Sequence, residues 1–540
     1  MTLLLPGMAR GHILALFAGF ILLLAPLVLQ AAAVDYAKQS ITIALTQEPP
    51  SLDTVRATDI VSFFVIGHVQ EGLVRFDQRG ATAPAVASSW VVSDTTIDFT
   101  LRPEARWSDG SQVTAADFVY AWRLLVTPAS AAAYASIMYP VKNAEKIQRG
   151  ELPATALGVT ALSATLLRVE LERPCGYCVS LMAHGAFFPI KQSFREAQGT
   201  DYGVEAANLL YNGPFELSSW THGASLLLVK NPDYWQRDKV HLNAINIAYI
   251  TEDNRARLNL FRDGSIALAR LGAETVADAA GQGLRLRTFA TGGMSYLRFN
   301  VAPDRLLAEH KLRQAIQLIF DSDEFVNKVI GIPGYKPAYS FFPSWLPGAA
   351  NTFANEYPLA KIMPDAVRAR QLVDEVRALV GDRSLTLLTV ASPTGAKIAE
   401  YLQGIIAKQL GLAVKVDQQT FKQYLVKAEQ GDFDIALSSW YPDFNDVVTY
   451  ADLFASWNAN NRGHYASAEY DRVLGLLQST SAPAERMAAA ARLQTILQED
   501  VPIIPMAETG SAYLQHPKLR GVARHVLGAD PDYSRARVIE

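Results

Sequence analysis

Phe433-Asp434-Ile435-Ala436-Leu437 runs into Ser438-Ser439-Trp440-Tyr441-Pro442-Asp443-Phe444-Asn445-Asp446, and both the fold and the candidate site follow from how this junction is read. The first five residues make a short apolar strand. Pro442 lacks an N–H and, with Asp443 and Asn445, punctuates the run, so a loop is predicted from Ser438 onward, at a strand's carboxyl end. The loop brings aromatic faces and carboxylates together. A partly desolvated carboxylate draws an ammonium or guanidinium group, and an aromatic wall attracts the same charge while burying apolar area. Trp and Asp residues in loops also serve packing and turn chemistry, which is the competing account of this segment.

Upstream of the junction, apolar periodicity switches between two kinds of element. It predicts helices over 368–380, 396–410 and 421–430, alternating with strands over 385–390, 413–416 and 433–437. That alternation is the pattern of a parallel α/β unit, in which ligands sit beyond the carboxyl ends of the strands, where Asp443 falls. Earlier in the chain, strands are predicted at 41–45, 226–229, 245–250 and 296–300, and helices at 60–73, 255–261 and 310–320. Thr114-Ala115-Ala116-Asp117 matches a helix-opening capping box with Asp in place of Glu. Near the end, 485–499 reads as an Ala-rich helix and 501–505 as an extended apolar segment.

At 540 residues the chain should hold two to four domains, at roughly 100–200 residues each. Lys+Arg of 49 against Asp+Glu of 53 gives a net charge of −4, with no basic block and no zinc-type Cys/His spacing, which excludes nucleic acid as a partner. Arg10 and His12 precede an apolar run over 13–29, and Ala31-Ala32-Ala33 supplies small residues, the signature of a cleaved secretory signal over 1–33. No cysteine follows that run to carry a lipid anchor. The only cysteines, Cys175 and Cys178, should be oxidised together in an exported chain, as a structural disulfide or as a thioredoxin-like redox pair.

Further motifs are spread along the chain: Glu71-Gly72-Leu73, Ala87-Ser88-Ser89-Trp90, Leu101-Arg102-Pro103, Trp107-Ser108-Asp109-Gly110, Asp117-Phe118-Val119-Tyr120-Ala121-Trp122, Asn212-Gly213-Pro214-Phe215 and Lys230-Asn231-Pro232-Asp233-Tyr234-Trp235. In their order and spacing the chain resembles extracellular solute-binding protein family 5, the oligopeptide and dipeptide binders of ABC importers. The resemblance implies an α/β, two-lobed periplasmic-binding-protein clamp of type II with an extra domain. Lobe one would gather 34–73, 201–297 and 506–540, the extra domain 74–200, and lobe two 298–505.

It also implies a monomeric, non-enzymatic periplasmic protein without cofactor or metal, which captures a peptide or peptide-like ligand and delivers it to permease subunits in the inner membrane. In the family an acidic residue of a Trp-x-x-Asp turn meets the peptide's ammonium, and Trp440-Tyr441-Pro442-Asp443 matches that turn. By the same carry-over Ser439 and Tyr441 offer backbone groups, while Ile60 and Tyr134 approach from the opposing walls. Relatives place basic residues for the peptide's carboxylate where this chain has Gly395, Ala428 and Leu437, so that anchor is expected to be lost. Glu508 is expected either to be solvent-exposed or, if it faces the cleft, to favour a further cationic group on the ligand. Alternatives are a non-peptide cargo on the same scaffold (murein peptide, opine, metal complex), a sensory module, or an exported hydrolase, although Gly292-Gly293-Met294-Ser295-Tyr296 does not make a G-x-S-x-G elbow.

Overall fold

The computed structural model describes residues 32–540 apart from 78, 79, 133 and 459, so the apolar leader of the predicted export signal lies outside the described residues. Three sheets organise the chain. A five-stranded sheet runs Val34–Asp35, Ser40–Leu45, Ala244–Ile250, Ser225–Lys230, Phe215–Thr221 in spatial order. A four-stranded antiparallel sheet (Ala87–Val92, Thr96–Leu101, Leu166–Glu170, Val159–Ser163) comes with the helix Ala115–Val126. A seven-stranded mixed sheet carries, in order, Leu268–Leu271, Ile503–Gln515, Arg287–Phe299, Ile435–Trp440, Leu385–Val390 and Val414–Gln419, with the two-residue strand Lys336–Pro337 beside Ile503–Gln515.

Local chemistry accounts for many of these boundaries. Ser392 caps the helix Pro393–Leu410 by accepting the Gly395 N–H at 3.0 Å, Pro393 opens it, and Gly411 closes it in the left-handed region at φ 64°. Asp117 reaches back to the Thr114 N–H at 2.8 Å at the start of Ala115–Val126, as the capping-box pattern predicts. Leu385–Val390 is buried along most of its length, as a strand covered on both faces should be.

Several boundaries differ from the sequence expectation, each for a tertiary reason. The strand predicted over 433–437 runs as Ile435–Trp440, because Ser438, Ser439 and Trp440 pair with Tyr296, Ser295 and Met294 of Arg287–Phe299; the loop starts at Tyr441, not Ser438. The sheet around it is mixed: Ile435–Trp440 is parallel to Leu385–Val390 but antiparallel to Arg287–Phe299. The helix predicted over 60–73 ends at Val69. Beyond it Gln70 is extended, and the Asn212 side chain brackets Glu71, accepting its N–H at 3.0 Å and donating to its C=O at 2.8 Å. Cys175 and Cys178 are joined in a disulfide. The strand before them belongs to the antiparallel sheet and only a single helical turn, Cys178–Leu181, follows, so no thioredoxin unit surrounds the pair.

Four of the sequence motifs converge on one buried knot. Glu71 accepts hydrogen bonds from the Tyr234 hydroxyl at 2.7 Å and the Trp235 indole at 2.6 Å, and pairs with Arg75 at 3.4 Å. Arg102 lies 3.9 Å over the Trp235 ring. Gly213 passes so close to the chain at Gln70 that a Cβ would sit 2.6 Å from that residue's nitrogen, and Asn231 donates to the Gly213 carbonyl at 2.9 Å. The knot ties residues 69–75 to segments more than a hundred positions away. Glu71→Leu strands these buried donors and should destabilise the protein by about 3–5 kcal/mol in urea unfolding. Glu71→Gln keeps one acceptor and should cost less; an unchanged midpoint for Glu71→Leu contradicts the assignment.

Candidate functional site

A cavity of about 670 Å³ is bounded by the amino end of the helix Ile60–Val69, by Tyr134, by the strand Leu268–Leu271, by residues 439–443 and by the segment 524–534. Residues 439–443 occupy their place because the neighbouring strand Arg287–Phe299 gives way. Its register shifts between Ala290 and Met294, and Gly292 adopts φ 78°, a conformation that glycine takes without strain. The freed Gly292 carbonyl accepts the Tyr450 hydroxyl at 2.5 Å. Tyr441 lies against Gly293 so tightly that a Cβ there would come within 2.6 Å of the ring.

After Pro442 the chain turns. The Asp443 N–H donates to Thr449 Oγ1 at 3.1 Å, and Asp446 accepts the Val448 N–H at 3.0 Å. Both carboxylate oxygens of Asp446 accept from Arg486 Nη2, at 2.6 and 2.7 Å, and Arg486 is itself buried. The Cys175–Cys178 loop closes over this pair: a Cβ on Gly176 would lie 3.1 Å from Arg486 Nε, and Tyr177 stacks on Phe444 at 4.6 Å. Asp446 is thereby consumed as structure. Asp443, three residues earlier, is half-buried, and no described side chain or backbone group donates to its carboxylate.

That environment leaves its mark on protonation. Burial pushes the Asp443 carboxyl up to about 6. Tyr134 is pushed up to about 12, first by burial and then by the Asp443 charge, and Asp452 up to about 7 by the same two causes. Anionic charge is thus costly here until a cation shares the space. The Trp440 indole N–H is buried with no acceptor among the described residues. Opposite, Phe63 packs edge-on against Tyr134 at 6.2 Å and His184 at 4.8 Å, and burial brings His184 down to about 4, so this wall is neutral and aromatic.

Asp443, Trp440, Tyr441, Ser439, Tyr134 and Ile60 all line this one cavity; Ile60, 73% exposed, is the first residue after the helix cap Asp59. Glu508 does not line it. It is 9% exposed, opposite Met294 in the sheet, and its two oxygens accept the Ser344 N–H and hydroxyl at 2.9 Å each, so it is buried rather than solvent-exposed and its bonds run to protein. Gly395, Ala428 and Leu437 stand away from the cavity as well, and Ala428 is fully buried against Leu388 and Ala436. Sequence reasoning missed Arg257 and Arg270, which line the cavity on the far strand and its packing helix. A lone charge in the apolar run Leu268-Ala269-Arg270-Leu271 was the available signal.

A deep cavity at the carboxyl end of a sheet strand, assembled from segments spread over the whole chain and lined by charges that the protein leaves unsatisfied, defines a ligand-binding clamp. The chain belongs to the bacterial extracellular solute-binding proteins, family 5, whose model matches residues 81–462. It is 30% identical over 496 residues to the periplasmic murein peptide-binding protein MppA of Escherichia coli, covering 90% of each chain. It is 28% identical over 489 residues to the dipeptide-binding protein DppE of Bacillus subtilis, covering 89% of each. Among solved structures, that of Listeria monocytogenes OppA bound to peptide superimposes with a TM-score of 0.77 at 30% identity, covering 93% of this chain and 99% of that one. The fold is the type II clamp of these binders, and the family is one of non-catalytic proteins.

The desolvated Asp443 carboxylate makes a stability prediction. Its folded pKa of about 6 lies above its ordinary value of 3.8, so the native state resists the ionised form. The cost is fully present above about pH 6 and vanishes below about pH 4, where both states are protonated. Asp443→Asn should therefore stabilise the unliganded protein at pH 8, on the order of 2 kcal/mol. Thermal melts should show this gain shrinking to nothing by pH 4; a destabilised variant at pH 8 contradicts it.

Proposed function

We propose that this protein works in the periplasm, captures peptides in the cavity described above, and hands them to an ABC permease. The observation that carries this reading is the Asp443 carboxylate, which lines the cavity with Trp440 and Tyr441 and has no partner among the described residues. A peptide's ammonium is the group that such a site suits. The carboxylate neutralises it, the aromatic faces attract it, and Ser439 and Tyr441 offer backbone groups to the peptide chain. A second feature points the same way. Leu385–Val390 pairs with Ile435–Trp440 only at Ile435 and Ala436, which leaves that edge of the strand without a partner strand at Ser439 among the described residues. An unpaired edge beside an acidic anchor suits a ligand with an extended backbone, because main-chain bonds accept any sequence of side chains. The relatives named for dipeptides, oligopeptides and murein peptide support the same class of cargo.

On this reading the clamp closes 298–505 onto 34–73, 201–297 and 506–540, with 74–200 as the extra domain. Trp440, Tyr441 and Asp443 then belong to one side, Ile60 to the other, and Tyr134 to the extra domain. Closure strips water from the ammonium, and only a paired carboxylate offsets that cost. Asp443→Ala should lower affinity for a free-amine peptide by about two to four powers of ten, which corresponds to roughly 3–5 kcal/mol. Calorimetry against the peptide released from the purified protein checks it. Unchanged affinity in a folded variant removes Asp443 from the role, and with Asp446 held by Arg486 and Glu508 by Ser344 it leaves a cargo without an ammonium.

A further inference from the structure

The charged groups around the cavity do not cancel. Glu71 pairs with Arg75 at 3.4 Å, Arg524 with Asp530 at 2.7 Å, and His525 with Asp532 at 3.4 Å. Asp59 is taken by the helix it caps, accepting the Val61 and Ser62 N–H groups. What remains is the carboxylate of Asp443 and, on the wall formed by the strand Leu268–Leu271, the two guanidinium groups of Arg257 and Arg270.

Arg257 is 6% exposed, yet it forms no ion pair among the described residues. Its contacts are the Thr251 carbonyl at 3.4 Å from Nη1 and the Asn254 side chain at Nη2, and its Nε has no acceptor. Glu252, Asp253 and Glu274 act on it only at longer range, and the strongest charge upon it is the like charge of Arg270. Arg270 stands opposite Tyr513 on the antiparallel strand, with its side chain exposed. Arg270 and Tyr441 line the same cavity, and both act on the Tyr335 hydroxyl, which burial and then the tyrosine push up and the arginine pulls down. Two adjacent guanidinium groups, one buried with an orphaned N–H, repel each other until an anion bridges or faces them.

We infer that Arg270, backed by Arg257, receives a carboxylate of the ligand and makes the cavity selective for cargo that carries an ammonium at one point and a carboxylate at another. This rests on the cavity being the ligand site. The seat is on a different element from Gly395, Ala428 and Leu437, two helix residues and one strand residue that leave the sequence-expected anchor empty of cations. A guanidinium fork accepts a carboxylate bidentately, so Arg270 supplies direction as well as charge, and Arg257 raises the local positive field without having to move.

The test uses the mature chain, freed of retained ligand by unfolding and refolding, and alanine tri-, tetra- and pentapeptides as free acids, as carboxyl-terminal amides and as amino-terminal acetyl derivatives. Amidation should weaken binding tenfold or more in the wild-type protein, and that penalty should disappear in Arg270→Gln, whose exposed position leaves folding intact. An amide peptide ending in Glu recovering the affinity assigns the seat to any carboxylate on the ligand; failure to recover assigns it to the chain terminus, and either result supports the proposal. Equal affinity of acids and amides in the wild-type protein, an amidation penalty that persists in Arg270→Gln, or no binding of any free acid overturns it. The acetyl derivatives report separately on Asp443. A penalty for amidation with none for acetylation sinks the ammonium reading and leaves the arginine seat standing.

Discussion

The buried ion pair between Asp446 and Arg486 holds the turn from Tyr441 to Asp446 in place. Arg486 bonds both oxygens of Asp446 and, through Nη1, the Leu477 carbonyl at 3.0 Å, so it ties the turn to the carboxyl end of one helix from the start of another, Pro483–Asp500. Such a pair adds little net stability, because the desolvation of two ions consumes most of the Coulomb gain, but losing one member strands the other at about 3–5 kcal/mol. Its value is positional. The disulfide loop adds to this: Gly176 leaves just enough room for the guanidinium, and Tyr177 lies on Phe444. Asp443 is fixed through its backbone neighbours, and its carboxylate stays unspent.

Two carboxylates three positions apart thus have opposite fates, and the difference is geometric rather than chemical. Asp446 points into protein and finds a cation; Asp443 points into a cavity and finds none. Burial then raises the Asp443 pKa to about 6. The same contrast holds across the cavity, where Arg524 is paired with Asp530 and Arg257 forms no ion pair among the described residues. Elsewhere around the site, as in the Glu71 knot, charged side chains find partners.

What could be read from the sequence follows the range of the interaction that decides each feature. Helix Phe421–Gln430 and strand Leu385–Val390 fall where apolar periodicity puts them, because capping and pattern are local. The Trp440-x-x-Asp443 turn was legible as a short motif of aromatic, proline and acid. Trp440 itself, however, ends a strand instead of sitting in a loop, because its partner Met294 lies far back in the chain. Glu508 was misplaced for the same reason: its fate is set by Ser344, from a segment without periodic pattern, and no local rule foretells a carboxylate accepting two bonds from one serine. A lone charge in an apolar run marked Arg270, but its lack of an ion pair among the described residues became legible only once the fold showed that the cavity's other acids are spoken for, since an unmatched charge is defined by every neighbour it lacks.

That last point bears on how a binding site differs from a defect. Leaving Asp443, Arg257 and the Trp440 indole unsatisfied costs stability, at about 1–3 kcal/mol for each buried polar group without a partner. A domain whose net stability is about 5–15 kcal/mol tolerates only a few such groups. Asp443, Arg257 and Trp440 line one cavity, with opposite charges on different walls, although other buried polar atoms without partners, such as Thr54 Oγ1 and Trp345 Nε1, belong to residues away from it. What sets the cavity apart is therefore not the presence of unsatisfied groups but their charge. A carboxylate and guanidinium groups that face one space without pairing with each other, with the carboxylate's turn held by backbone bonds and an ion pair that leave its oxygens free, are the form that selection for a ligand's own charges would leave in a clamp.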